Sequence, residues 1–325
     1  MVTRLAELRR RLPALALGSL LWAQVPFPLL AQEPLDGGFS EDVGVGLVLV
    51  PVVVRSNEGY LRGLKAEDFR LFVDDKPVPI ESFENRSDAP LSTVFLQDLS
   101  GSMGSGGKLE ASREAVRFFL DQATDLDEFA LAIFADGKTS VDVPFTSDLQ
   151  ALRESVAGWE AYGTTALNDA VAWLPEITAG GSHAKRAALL VTDGVDNASN
   201  LSPEEARNLV RSAQIPVYVL GLGSGSPYDL APNGDKLGRF ADVLNLLSLY
   251  TGGRYFPVEG PNALKEAVVD IVDDLRHQYV LSFSTSGRGK RTSHRLRVEV
   301  PRKNVKVLSR QGYTGNLPVA LAGKG

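Results

Sequence analysis

Cysteine is absent from the 325 residues of this sequence, and histidine occurs only three times. Without cysteine there are no disulfide bonds, thiolate zinc sites or cysteine nucleophiles. His183, His277 and His294 have no zinc-like spacing and flank no candidate nucleophile, so we expect ordinary core or surface roles for them. The missing disulfides do not exclude export, because a core of sufficient size holds a domain together without them.

Two common enzyme motifs are also missing. A phosphate-binding loop requires G-x-x-x-x-G-K-[ST], but here Ser102 replaces the first glycine and Leu109 replaces the hydroxyl residue. No G-x-S-x-G nucleophile elbow occurs, and Asp98-x-Ser100 lacks the second aspartate that phosphatase-like acid–base catalysis needs. The sequence therefore predicts a protein that is not an enzyme, with a metal-dependent hydrolase as the alternative.

Acidic residues outnumber basic ones, and the formal net charge is −6. Residues 1–31 contribute +3 to this balance, so the remainder of the chain carries −9. A surface of that sign argues against nucleic acid or anionic lipid as the main partner. The 44% of hydrophobic residues suffices for a real core.

The first 31 residues have the pattern of a signal peptide. Arginines at positions 9–11 precede the apolar run Ala14–Ala23, and prolines follow at positions 26 and 28. The apolar run is too short to span a bilayer comfortably. We expect cleavage after Ala31 or Ala23, export to the periplasm, cell envelope or exterior, and no stable membrane insertion afterwards. An uncleaved membrane anchor is the alternative.

The rest of the chain divides by its patterns. Alternating strands and helices between residues 91 and 284 predict a doubly wound, mainly parallel sheet with helices on both faces. The flanking stretches are β-rich and each is too short to stand alone, so we expect them to pair in a small second module. The predicted segments are a signal peptide (1–31), a linker (32–42), an N-terminal β-rich segment (43–90), the α/β domain (91–284), a C-terminal β-rich segment (285–315) and a tail (316–325).

Residues 94–104 are the most informative stretch of the sequence. An apolar strand ends at Asp98, Ser100 and Ser102 follow at alternate positions, and a helical pattern begins at Lys108. Alternate residues of an extended loop share a face, so we expect the three oxygen side chains to converge beyond the carboxyl end of the strand. Such a set favours a hard cation, above all Mg²⁺, with Mn²⁺ or Ca²⁺ as alternatives.

One loop leaves such a coordination shell incomplete, and further oxygens occur at two later positions. Thr165 precedes a predicted helix over 166–177, and Asp193 follows the apolar strand 186–192. In open α/β sheets ligands bind beyond the carboxyl ends of the strands, where these residues and Asp98 are expected. The alternative is that these loops are ordinary turns, since Asp, Ser and Gly dominate turns in any case.

Three short motifs, in this order within an alternating α/β region, resemble the metal-ion-dependent adhesion site of von Willebrand factor type A domains. They are Asp98-x-Ser100-x-Ser102, Gly163–Thr164–Thr165–Ala166–Leu167 and Thr192–Asp193–Gly194. The resemblance covers roughly Leu91 to Phe283. The flanking β segments and the signal-like start are similar to those of secreted bacterial proteins that carry a related domain.

The resemblance implies a role for each matched residue. The hydroxyls of Ser100 and Ser102 would ligate the metal directly. Asp98 and Asp193 would bind it directly or through water, and Thr165 would be the site threonine. With few anionic ligands the ion stays electrophilic, so a carboxylate from a partner protein completes its coordination shell.

We therefore expect an exported bacterial protein that binds a divalent cation and, through it, an exposed Asp or Glu carboxylate of a partner protein. A structural role in an envelope assembly, with a domain that does not adhere, is a further alternative.

Overall fold

The computed structural model describes residues 46–194, 196–223, 239–286 and 292–322, so the predicted signal peptide and linker lie outside the described residues. The strands are Gly46–Ser56 (β1), Gly59–Tyr60 (β2), Arg70–Val73 (β3), Lys76–Val78 (β4), Ser82–Glu84 (β5), Leu91–Asp98 (β6), Glu128–Ala135 (β7), Lys138–Thr146 (β8), Lys185–Thr192 (β9), Val217–Leu222 (β10), Tyr255–Val258 (β11), Tyr279–Thr285 (β12), Thr292–Glu299 (β13), Val305–Ser309 (β14) and Gly312–Gly315 (β15). The helices are Lys108–Leu120 (α1), Leu149–Ala157 (α2), Leu167–Ala172 (α3), Leu174–Ala179 (α4), Pro203–Val210 (α5), Arg239–Thr251 (α6), Pro261–Arg276 (α7) and Val319–Ala322 (α8). None of the helices in this part of the chain has the length and apolarity needed to cross a membrane.

A mainly parallel sheet forms the centre of the α/β part, in the order β11-β10-β9-β6-β7-β8. Its strand pairs are parallel except for β7 with β8, which form an antiparallel hairpin. Every residue of β6 is buried, as expected for a strand of a parallel sheet that is covered on both faces. The predicted doubly wound fold is confirmed.

Helices cover both faces of this sheet. Neighbouring residues of a strand point to opposite faces, so Phe95 of β6 belongs to the core formed with α1, α2 and α7. Leu96 belongs to the core formed with α3, α4, α5 and α6. Packing on both sides fixes β6, and thereby fixes the position at which the loop after Asp98 begins.

The predicted helix over 166–177 is divided into α3 and α4 in the structure. Pro175 lies in the first turn of α4, where it has no N–H to donate to the preceding turn. Its ring would also clash with a carbonyl of a continuous helix, so the chain starts a new helix at this point. Trp173 is the boundary residue between the two helices.

The β-rich segments on either side of the α/β part share two flanking sheets, in the orders β14-β1-β12-β5 and β15-β13-β3-β4. Strand β1 pairs with β12 through residues 46–52 and with β14 through residues 52–56. In the second sheet, β13 pairs with β3. Apolar side chains from both segments fill one core, among them Val50, Leu71, Phe283 and Leu296.

The structure moves one predicted boundary. The predicted α/β domain ends at residue 284 and therefore includes β12. In the structure β12 pairs with β1 and β5 and belongs to the flanking sheet. Six of its seven residues are buried, so its burial resembles that of the strands in the parallel sheet and does not identify its neighbours. The α/β layer therefore ends with α7, at Arg276.

Candidate metal centre

Asp98 is the last residue of β6, and its side chain is buried at the carboxyl edge of the parallel sheet. Its Oδ1 accepts a hydrogen bond from the Ser100 backbone N–H at 2.8 Å, and its Oδ2 accepts one from the Thr192 hydroxyl at 2.6 Å. Burial raises the pKa of Asp98, and the hydrogen bonds from Thr192 and Ser100 oppose that rise without cancelling it. Both donors are neutral groups, so the negative charge of this carboxylate is not balanced by them.

Ser100 and Ser102 lie in the loop that follows β6. The backbone turns through a short 3-10 segment, Gly101–Gly104, that begins directly after Ser100. This turn brings the two hydroxyl oxygens to 3.2 Å from each other. The loop is thus not extended throughout, yet the two hydroxyl groups meet as predicted.

The loop that carries Thr165 packs against the serine loop. The Gly101 N–H donates to the Gly163 carbonyl at 3.0 Å. Gly163 has a φ of +67°, and a Cβ at this position would lie 2.5 Å from the Cβ of Asp136. Only glycine fits here, where the Thr165 loop passes close to Asp136 in the turn between β7 and β8. Thr165 is buried two residues further on.

Asp196 and Asn197 hold the Thr165 loop in place. The Asn197 side-chain carbonyl accepts a hydrogen bond from the Thr165 N–H at 2.9 Å, and the Asn197 N–H donates to the Thr165 carbonyl at 3.0 Å. The Asp196 carboxylate accepts one from the Asn168 N–H, in the first turn of α3, at 2.9 Å. The loop after β9 therefore determines where Thr165 lies.

Asp193 follows β9 directly, and its side chain is buried. Lys108, the first residue of α1, donates from Nζ to Oδ2 of Asp193 at 2.9 Å. The sequence does not point to this lysine as a site residue. Lys108 and Asp193 are 85 residues apart in the chain, and a lysine at the start of a helix carries no signal of the carboxylate that it reaches.

Contacts thus connect the loops that carry the predicted site residues. Asp98 contacts Thr192 at the end of β9, and the Gly101 N–H of the serine loop donates to the Gly163 carbonyl of the Thr165 loop. The side chains offered at this edge are carboxylates and hydroxyls, and an ammonium group already lies against one of the carboxylates. The oxygen donors fit a hard divalent cation, whereas the ammonium group occupies part of the site with a positive charge of its own. Among the described residues, no three His, Asp or Glu side chains are grouped so that they could hold a metal ion by themselves.

Comparison with known families identifies the same region. Residues 93–195 match the family model of the von Willebrand factor type A domain, and this range contains all five predicted site residues. The predicted resemblance to von Willebrand factor type A domains is confirmed for this part of the chain.

Similar proteins share only part of their length with this chain. Inter-alpha-trypsin inhibitor heavy chain H4 from Homo sapiens is 29% identical over 159 residues, which cover 45% of this chain and 17% of that protein. An uncharacterized protein from Borreliella burgdorferi is 26% identical over 194 residues, which cover 54% of this chain and 56% of that protein. The structure of von Willebrand factor type A from Catenulispora acidiphila is similar with a TM-score of 0.46 and 16% identity, covering 86% of this chain and 75% of that chain.

Proposed function

Because residues 93–195 match the von Willebrand factor type A domain, we propose that this chain is a divalent-cation-dependent protein-binding module of an exported bacterial protein. The cation is Mg²⁺, with Mn²⁺ and Ca²⁺ as alternatives, and an exposed Asp or Glu carboxylate of a partner protein completes its coordination shell. The proposed ligands are Asp98, Ser100, Ser102, Thr165 and Asp193. The proposal gives the protein a binding function and no enzymatic activity.

One observation carries this proposal. The hydrogen bonds of Asp98 to Thr192 and of Gly101 to Gly163 link three loops at the carboxyl edge of one rigid sheet. Side chains fixed in this way lose little conformational freedom when a cation binds between them. Hydroxyls are neutral ligands, so a divalent ion held by them and by few carboxylates retains a positive charge for an incoming acid.

Each part of the chain has its own task in this arrangement. The Ser100 N–H and the Thr192 hydroxyl orient the Asp98 carboxylate. The turn after Ser100 sets the distance between the two serine hydroxyls. When bound, the cation supplies a Lewis-acidic position that an external carboxylate occupies.

Thermal unfolding with and without Mg²⁺ tests the metal site. We expect Mg²⁺ to raise the Tm of the parent protein and to leave the Tm of Ser100→Ala unchanged, because a ligand hydroxyl is lost. Ser105→Ala is the matched control, since this exposed hydroxyl lies in the same loop and donates to the Ser102 carbonyl. Equal Mg²⁺-dependent shifts in the parent and in Ser100→Ala would refute the site.

A pull-down from envelope extract tests the binding function. We expect partner capture in Mg²⁺ and its loss in chelator or in Asp98→Ala. Complexes that persist in chelator would favour a structural role in an assembly. Hydrolysis of a generic ester or phosphate ester that Asp98→Ala abolishes would favour a metal-dependent hydrolase.

A further inference from the structure

The Lys108 side chain places a positive charge on one of the proposed metal ligands. Its Nζ lies 2.9 Å from Oδ2 of Asp193, whose side chain is 3% exposed, whereas the lysine side chain is 27% exposed. An ammonium group at this distance stabilises the charge of the buried carboxylate. We propose that Lys108 is an internal counter-cation of the metal site, which a divalent cation displaces when it binds. This inference rests on the metal site proposed above.

The long side chain alone carries the ammonium group to the site. Lys108 is the first residue of α1 and lines the same cavity as Leu222 at the end of β10, whereas Asp193 follows the neighbouring strand β9. A Cβ added at Gly223, directly after β10, would lie 3.7 Å from the Lys108 Cε, so the lysine stem passes over the end of this strand. Rotation of side-chain torsions therefore withdraws the ammonium group without any movement of α1.

A second position for the ammonium group lies next to the first. Lys108 also lines a cavity of about 390 Å³ between the start of α1 and the start of α7. Glu110, Glu114 and Glu259 line the same cavity. Glu110 forms ion pairs with Arg113 and Arg117, whereas no ion pair joins Glu114 or Glu259 to a residue that the structure describes. The latter two carboxylates are therefore suited to receive the displaced lysine.

The two cations compete because like charges at contact distance repel strongly at a partly buried site. The apparent metal affinity is the intrinsic affinity multiplied by the fraction of molecules in which the ammonium group has left Asp193. Removal of the lysine charge therefore tightens metal binding, although it removes an ion pair from the metal-free protein. A salt bridge with a purely structural role predicts no such gain.

Calorimetric titration with Mn²⁺ alone, on the full chain, tests the proposal. We expect Lys108→Met, which keeps the aliphatic stem, to bind Mn²⁺ at least about tenfold more tightly than the parent, an increase of about 1.4 kcal/mol in binding free energy. Lys108→Arg retains the charge and is expected to bind like the parent. Lys306→Met, an exposed lysine of β14, is the matched control with unchanged affinity.

Thermal unfolding supplies a second readout. In chelator Lys108→Met is expected to melt below the parent, because Asp193 loses its ammonium partner. In saturating Mn²⁺ it is expected to melt at or above the parent. A lower Tm under both conditions would overturn the proposal, since the lysine would then only stabilise the fold.

The role of the cavity is tested by a double-mutant cycle. Glu259→Gln weakens Mn²⁺ binding in the parent, because the displaced ammonium group loses an acceptor, and has no effect in Lys108→Met. An equal loss in both backgrounds would overturn the second position of the lysine.

The titrations also separate this inference from the proposed function. The parent could bind Mn²⁺, with this binding abolished by Ser100→Ala, while Lys108→Met binds no more tightly than the parent. That result would overturn the role of Lys108 as counter-cation and would leave the metal site supported. Binding by neither the parent nor Lys108→Met overturns both. Binding by Lys108→Met alone supports the counter-cation in its strongest form.

Discussion

The two edges of the parallel sheet each bury an aspartate, and the two carboxylates have opposite surroundings. Asp98, at the carboxyl edge, is 0% exposed and accepts hydrogen bonds from the Ser100 N–H and the Thr192 hydroxyl. Asp127, directly before β7 at the amino edge, is 1% exposed and forms an ion pair with Arg276 at the end of α7. One carboxylate is held by neutral donors, and the other by a guanidinium group.

The pKa values of the two groups differ in direction accordingly. Burial raises the pKa of Asp98. Burial acts in the same direction on Asp127, but the hydrogen bond from Arg276 and those from two backbone N–H groups outweigh it, so its pKa lies below the usual value. A buried carboxylate with a fixed guanidinium partner stabilises the fold. One with neutral donors at an open edge is instead suited to attract a cation.

The amino edge also joins the α/β layer to the flanking sheets. The fully buried carboxylate of Asp274, in α7, contacts Arg55 of β1 at 2.6 Å and Arg254 at 3.3 Å. Lys185, at the start of β9, donates from Nζ to the carbonyl of Arg86 at 2.6 Å. Charged groups at this edge therefore connect parts of the fold, whereas Asp98 at the opposite edge accepts its hydrogen bonds from neutral groups.

The largest expected effect is at the amino edge. Arg276→Met leaves the buried Asp127 charge without its guanidinium partner and is expected to lower the free energy of unfolding by roughly 3 to 5 kcal/mol. Arg153→Met is the control, because its pair with Asp121 at 2.7 Å is exposed and contributes at most about 1 kcal/mol. Urea unfolding measures both values. Equal losses in the two variants would show that the buried ion pair at the amino edge contributes no more to stability than an exposed one.

Lys185 allows a test by pH. Burial lowers the pKa of Lys185 from 10.5 to about 8. Between these values the unfolded chain binds more protons than the folded one, so this group makes stability rise with pH, by about 3 kcal/mol over the whole window. We expect the free energy of unfolding of the parent to rise relative to that of Lys185→Met as the pH rises through this window, because the variant lacks the titrating group. A difference that does not change with pH would contradict the prediction.

The smallest expected effect is at the carboxyl edge. In chelator, Asp98→Asn is expected to change the free energy of unfolding by less than about 1 kcal/mol, because the amide retains hydrogen bonds and removes a buried charge. In Mg²⁺ the same variant is expected to lack the stabilisation seen in the parent. Urea unfolding under both conditions gives the two values. A loss in chelator as large as that in Arg276→Met would show that both carboxylates stabilise the fold to the same extent.

Much of the fold and part of the candidate site were accessible from the sequence. Asp98 ends β6, and Thr192 ends the parallel neighbour β9, so acids at these strand ends are delivered to one edge of the sheet. The contact of Lys108 was not accessible, because it depends on the path of a long side chain over a third strand. The partners of β12 were not accessible either, since its apolar pattern fits both sheets. Pro175 is a signal for the division between α3 and α4, but the predicted helix over 166–177 ran through it.

The shared pairing of β1 has a mechanical consequence. Because β1 pairs with both β12 and β14, segments from before and after the α/β layer are fastened to each other. A pull transmitted along the backbone from residue 46 or from residue 315 must first rupture hydrogen bonds of the flanking sheets. Tension reaches β6 and β9, whose carboxyl ends lead to Asp98 and Asp193, only after those bonds have broken.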